Sequence, residues 1–169
     1  MKNEKQHRYG EVVIREVRDS DRDTIIAIFN YYAATSYAAY PEIPVSDRFF
    51  AFLHEGALGF YVLEYEAHIV GFGFMKPLMP FPASMTPGML TYFIQPEYTR
   101  MSFGKKRLDR LTDDAKKMGM TSLVANMAST NRTSIHFHLQ NEFTEVGSLH
   151  NAGSKFGEPF DILWMQKML

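Results

Sequence analysis

The stretch from Met89 to Met127 constrains this chain most. It sets a strand, a proline stop, a short loop, an amphipathic helix and a second strand in one continuous unit. Met89–Ile94 is apolar and aromatic enough for a strand, and Pro96 ends it, since proline cannot donate to a sheet ladder. Gly104–Met118 places Leu108, Leu111, Ala115 and Met118 at intervals of three, four and three, the spacing of one helix face. Gly119 stands where a helix C-terminal cap belongs. Ser122–Met127 then reads as the second strand. Such a unit needs a sheet with helices laid against it, so the expected class is α+β, or mixed α/β.

The flanking sequence extends this pattern. Val12–Glu16 reads as a strand. Ser20 opens a helix with Ile25, Ile28, Phe29 and Tyr32 on one face. Ser46 opens a short helix carrying Phe49, Phe50 and Leu53. Phe60–Tyr65 and His68–Lys76 read as strands joined by a tight turn at Glu66-Ala67, and prolines and Gly88 make residues 77–88 a loop. Helix Asn131–Gln140 and strands Phe143–Leu149 and Phe160–Gln166 follow. At 169 residues this is one domain, expected over 11–169 behind a polar tail at 1–10.

Composition narrows the functions. With no cysteine, disulfides, thiolate zinc sites and cysteine acyl-enzymes are excluded. A formal net charge of -1 gives no global reason to expect nucleic acid or an anionic membrane as partner. The polar start lacks a signal-peptide core and no apolar run reaches bilayer length, so a cytoplasmic protein is expected. The histidines show no metal-ligand spacing, so no metal is expected.

The loop Thr99-Arg100-Met101-Ser102-Phe103-Gly104 feeds a helix that starts with Lys105-Lys106. A helix start offers unpaired N–H groups and partial positive charge, which favour phosphate. The basic run Lys105-Lys106-Arg107 with Arg110 either solvates a helix face or meets such phosphates.

Gln95-Pro96-Glu97-Tyr98, with this loop and helix, resembles the acyl-CoA-binding motif of Gcn5-related N-acetyltransferases. Three stretches resemble their phosphinothricin and methionine-sulfoximine acetyltransferase branch. These are Ile28-Phe29-Asn30-Tyr31-Tyr32 with Thr35-Ser36; Asn131 with Ser134, Ile135 and His138; and Gly153-Ser154-Lys155-Phe156-Gly157 with Phe160-Asp161 and Met165-Gln166. The resemblance covers about residues 12 to 167. It implies a mostly antiparallel mixed sheet of six to seven strands flanked by about four helices, acetyl-CoA as cosubstrate, a small-molecule amine as acceptor, and a homodimer.

Site roles follow from the same resemblance. A backbone N–H of Phe93 or Ile94 would meet the thioester carbonyl. The pyrophosphate would lie on the amides of Met101, Ser102, Phe103, Gly104 and Lys105. Asn131, with Ser134 in the same motif, would bind the pantetheine arm. His138 would move the proton, or be a packed helix histidine. Tyr32, Tyr37 and Tyr40 would wall the acceptor pocket, or pack as core. Lys155 would meet an acidic group of the acceptor, or be an exposed loop lysine.

Four positions depart from the family. Its loop reads Gln/Arg-x-x-Gly-x-Gly/Ala, and here Thr99 and Ser102 replace the first two conserved types while Gly104 matches. If Ser102 needs a positive φ, the penalty is ~1–2 kcal/mol. Met89 stands where the branch carries a glutamate that helps deprotonate the amine, and Glu142 precedes Phe143 where the family has glycine. A non-catalytic acyl-CoA-binding or sensor protein, or a structural partner without the cofactor, therefore stays open beside the enzyme.

Overall fold

The computed structural model describes residues 11–79 and 86–169. The tail expected at 1–10, and residues 80–85 of the expected loop, lie outside the described residues.

Seven strands form one sheet: β1 (Val13–Glu16), β2 (Gly59–Tyr65), β3 (His68–Pro77), β4 (Gly88–Ile94), β5 (Ser122–Ala128), β6 (Thr144–Lys155) and β7 (Glu158–Met168). Their spatial order is β1-β2-β3-β4-β5-β7-β6. Every neighbouring pair is antiparallel except β4 and β5. Helices α1 (Arg22–Thr35), α2 (Arg48–His54), α3 (Phe103–Lys117) and α4 (Arg132–Gln140) complete the described fold, in agreement with the expected α+β class.

Strand alternation sorts the core into two layers. Phe60 and Val62 of β2, Phe72 and Phe74 of β3 and Phe93 of β4 face α1 and α2, where Ile25, Ile28, Phe29 and Phe50 meet them. Tyr61, Met75, Leu90, Ala125 and Met127 face the other way, onto Leu108, Leu111 and Ala115 of α3. Phe72 has no exposed surface; burying one such side chain contributes roughly 1.5–3 kcal/mol.

Several elements differ in detail from the sequence expectation. Helix α3 stops at Lys117, and Met118, expected on its apolar face, is 47% exposed. The last two strands are longer than expected because Phe156 and Gly157, both at positive φ, form a two-residue hairpin turn that lets Lys155 pair with Glu158. The turn at Glu66-Ala67 is present, again with both residues at positive φ.

The feature that positions the site is where β4 and β5 part. They pair only at Gly88 with Leu123 and at Met89 with Val124. Beyond Met89, β4 runs on to Ile94 beside β3 alone, while β5 stays with β7 as far as Ala128. A wedge opens between them, and the starts of α3 and α4 stand at its mouth.

Candidate active site

The wedge widens into a cleft of about 1380 Å³ that takes in Tyr32, Tyr40, Tyr92, Ser102, Asn131 and His138. Leu90 to Ile94 of β4 form one wall without a strand partner on that side. Their free main-chain groups suit an extended amide-bearing ligand such as a pantetheine arm.

At the cleft mouth, Ser102 caps α3 with φ +61° and ψ +9°, in the left-handed region, and makes no side-chain cap bond. The first bond into the helix runs from Lys106 N to the Ser102 carbonyl. The amides of Phe103, Gly104 and Lys105 therefore lie ahead of the helical ladder, as an anion site requires. Gly104 is packed so closely that an added Cβ would lie 3.2 Å from the Phe137 ring. These features fit the diphosphate of acetyl-CoA.

One loop residue differs from the expectation. The Met101 N–H donates to the Tyr98 carbonyl at 3.3 Å, and the Met101 side chain packs against the buried cluster that includes Phe103. The Phe103 side chain is buried in that cluster, so only its amide remains available. The Lys105 ammonium pairs with Asp109 at 2.8 Å, both residues exposed. Such a surface pair is weak and can yield to phosphate.

Helix α4 begins with Asn131, whose Oδ1 accepts from the Ser134 N–H at 3.2 Å. The Asn131 amide nitrogen has no partner among the described residues and borders the cleft. Ser134 in turn fixes His138. The Ser134 carbonyl lies 2.7 Å from His138 Nδ1, and a carbonyl can only accept, so Nδ1 carries the hydrogen. His138 Nε2 is thereby left to accept from the Tyr92 hydroxyl. The two rings stack at 5.6 Å and 11°, and Phe143 closes the other side of the imidazole edge-on at 4.9 Å. His138 is 2% exposed. Burial, helped by the nearby Arg107 charge and opposed by the Ser134 bond, lowers its pKa to about 4. The imidazole is neutral near pH 7 and is a weak base.

The aromatic wall is tied to the sheet. The Tyr32 hydroxyl donates to the Ile94 carbonyl at the tip of β4. Tyr40 donates to Asn126 Oδ1 at 2.9 Å and stacks on Phe160. Burial pushes both phenols up to about 12. Tyr37 donates to the Lys155 carbonyl at 3.1 Å. Phe93 and Ile94 lie on the β4 wall, and Phe93 packs against Phe29 and Tyr32.

Lys155 is not brought to the cleft. Its ammonium has no exposed surface and donates to the carbonyls of Ser36 at 2.6 Å and Ala39 at 2.5 Å. It tethers the segment after α1 to the β6–β7 hairpin instead of meeting an acceptor.

Two cleft residues escape a reading by motif. Tyr92 looks like one more aromatic in an apolar strand, and nothing in the sequence pairs it with His138. Arg107 hides in a basic run, although it is buried while Lys105 and Lys106 are exposed. Its spacing carried the signal: it stands three residues after Gly104 and four before Leu111, inside the apolar stripe. Its guanidinium carbon lies 3.9 Å from the Tyr92 ring centre.

Comparison with known proteins gives a concordant picture. Residues 25–143 match a family model described as the acetyltransferase (GNAT) family. The chain is 26% identical over 160 residues to the L-amino acid N-acyltransferase MnaT of Escherichia coli (strain K12), covering 92% of this chain and 93% of that protein. It is 27% identical over 161 residues to the phosphinothricin N-acetyltransferase of Alcaligenes faecalis, covering 92% and 82%. The structure of yncA from Salmonella typhimurium, solved with acetyl-CoA, superimposes with a TM-score of 0.83 at 24% identity, covering 94% of each chain; at that identity the likeness speaks for the fold.

Proposed function

We propose that this chain, which belongs to the acetyltransferase (GNAT) family, moves an acetyl group from acetyl-CoA to the primary amine of a small molecule, an amino acid or an analogue of one. The observation that carries the reading is the wedge between β4 and β5, whose cleft takes in both the unpaired amides of α3 and the Tyr92–His138 pair.

When bound, acetyl-CoA supplies an activated thioester. The chain does the rest. The first-turn amides of α3 and Lys105 hold the diphosphate, the Asn131 amide nitrogen donates to the arm, and the free edge of β4 aligns it. The main-chain N–H of Ile94, on the side of β4 turned away from β3, polarises the carbonyl to be attacked. Tyr32, anchored on the Ile94 carbonyl, and Tyr40 shape the acceptor side and exclude water.

Among the described residues, no aspartate or glutamate borders the cleft. Met89, in the family's glutamate position, sits at the crotch of the wedge. The acceptor amine therefore arrives neutral, having lost its proton to solvent. His138 acts by holding the Tyr92 hydroxyl, which gives its proton to the departing thiolate and regains one from the nitrogen that has attacked. In this reading the protein is cytoplasmic and a homodimer. The exposed Val146 and Leu149 on edge strand β6 support the second point. No helix among the described residues is long and apolar enough to cross a membrane.

The test is release of free thiol from acetyl-CoA across a panel of amino acids, their sulfone, sulfoximine and phosphinate analogues, and simple amines, with each product weighed by mass spectrometry. Acetylated product from wild type, reduced at least about 100-fold in Tyr92→Phe, is the expected result. Acetyl-CoA binding without product from any amine would support a non-catalytic acyl-CoA-binding protein instead.

A further inference from the structure

Arg107 is a charged group with no use in the scheme above. Only 2% of it is exposed, and its Nε and Nη1 have no hydrogen-bond partner among the described residues. Arginine stays protonated in proteins; burial lowers its pKa only to about 10. A buried, unpaired cation is costly, yet the fold makes room for it. An added Cβ at Gly73 would come within 2.7 Å of Arg107 Cδ, so the glycine in β3 is what lets the side chain lie flat on the sheet. The Tyr92 ring then holds the guanidinium by a cation–π contact.

Among the described residues, no acid balances this charge. The groups that act on it electrostatically are the phenols of Tyr92 and Tyr32. The cleft it borders is lined by further cations, Arg100, Lys105 and Arg132, and by no described carboxylate. Residues 80–85, outside the described set, contain no acidic residue, and residues 1–10 contain one, Glu4. The carboxylate of a ligand in the cleft would supply the counter-charge. The diphosphate is already provided for by the α3 amides at the mouth. Arg107 lies one turn further along α3, turned onto the Tyr92 ring, on the same cleft as Tyr32 and close enough for the Tyr32 phenol to act on its charge.

We propose that Arg107 is the anion receptor of this cleft and pairs with the carboxylate of the acceptor, so that the acceptor is an amine carrying an acidic group and not a simple or polycationic amine. This rests on the acetyltransferase reading, and the test separates the two. The first arm needs no turnover. With coenzyme A bound, sodium acetate should raise the thermal midpoint of wild type by about 2–4 °C more than acetamide at matched concentration and ionic strength. That difference should vanish in Arg107→Met and partly persist in Arg107→Lys. Equal effects of acetate and acetamide on wild type, or a difference that survives in Arg107→Met, would overturn the proposal.

The second arm compares acetylation of L-methionine sulfone with that of its carboxamide. The kcat/KM preference for the acid should fall about 30-fold or more in Arg107→Met, with the acetyl-CoA dissociation constant within about threefold of wild type. An equal loss for both acceptors would assign the charge to the departing thiolate, and lost acetyl-CoA binding would assign it to the cofactor; either refutes the proposal. If Arg107→Met does not fold, Arg107→Gln takes its place in both arms.

Discussion

Ser102 holds a left-handed conformation at the start of α3 that costs a residue with a Cβ ~1–2 kcal/mol relative to glycine. Ser102→Gly should therefore stabilise the protein by about 1 kcal/mol and leave acetyl-CoA affinity equal or tighter. Urea unfolding and titration read the two effects, and a loss of stability would show that the serine side chain contributes something its contacts do not reveal. His138 sets a pH dependence. Its folded pKa lies near 4, below the ordinary value of about 6.5, so the unfolded chain binds its proton first. Its contribution to stability is complete above about pH 6.5 and declines as pH falls towards 4. In urea unfolding across that window, His138→Gln should show a shallower loss than wild type. By the same logic kcat/KM should climb with pH towards the amine's own pKa, with no inflection near 6.5. At this scale the sequence was informative for Asn131, expected at the entrance of a helix and found at the start of α4 on the cleft. It was silent where a role depends on a contact distant in sequence. Nothing near Lys155 reveals that its ammonium is spent on the carbonyls of Ser36 and Ala39. Lys155→Met should cost roughly 2–3 kcal/mol, because it strands buried acceptors.

The parting of β4 from β5 makes the site, and β3 sets its shape. An added Cβ at Gly71 would fall 2.7 Å from the Phe93 carbonyl and 3.1 Å from Ile94 Cγ1, so Gly71→Ala should push the tip of β4 outward. We expect a loss of about 1–3 kcal/mol in thermal or urea unfolding, and weaker acetyl-CoA binding because Ile94 presents its main chain on the free edge. An unchanged protein would mean that the strand tip gives way freely. The order of elements was legible throughout, since hydrophobic period and proline or glycine punctuation are local. The point where two parallel strands separate was not, because register belongs to pairs of strands. The length of the β6–β7 hairpin was missed for a related reason. Phe156 in a left-handed turn contradicts the usual preference for asparagine or glycine there.

At the scale of the whole molecule, a chain with almost no net charge gathers cations and no described carboxylate around one cleft. Such a cleft attracts a polyanionic cosubstrate and disfavours protonated amines. The family resemblance named many of the residues that line this cleft, while its electrostatic character comes from Arg107 and from Met89 in the glutamate's place. The most direct test of the account is calorimetric titration of the protein with acetyl-CoA, wild type beside Gly104→Glu. The substitution puts a carboxylate against the α3 amides, where an added Cβ already crowds Phe137. Micromolar binding by wild type that is abolished in Gly104→Glu is the predicted result. No heat of binding up to millimolar acetyl-CoA in a folded wild-type protein would contradict it.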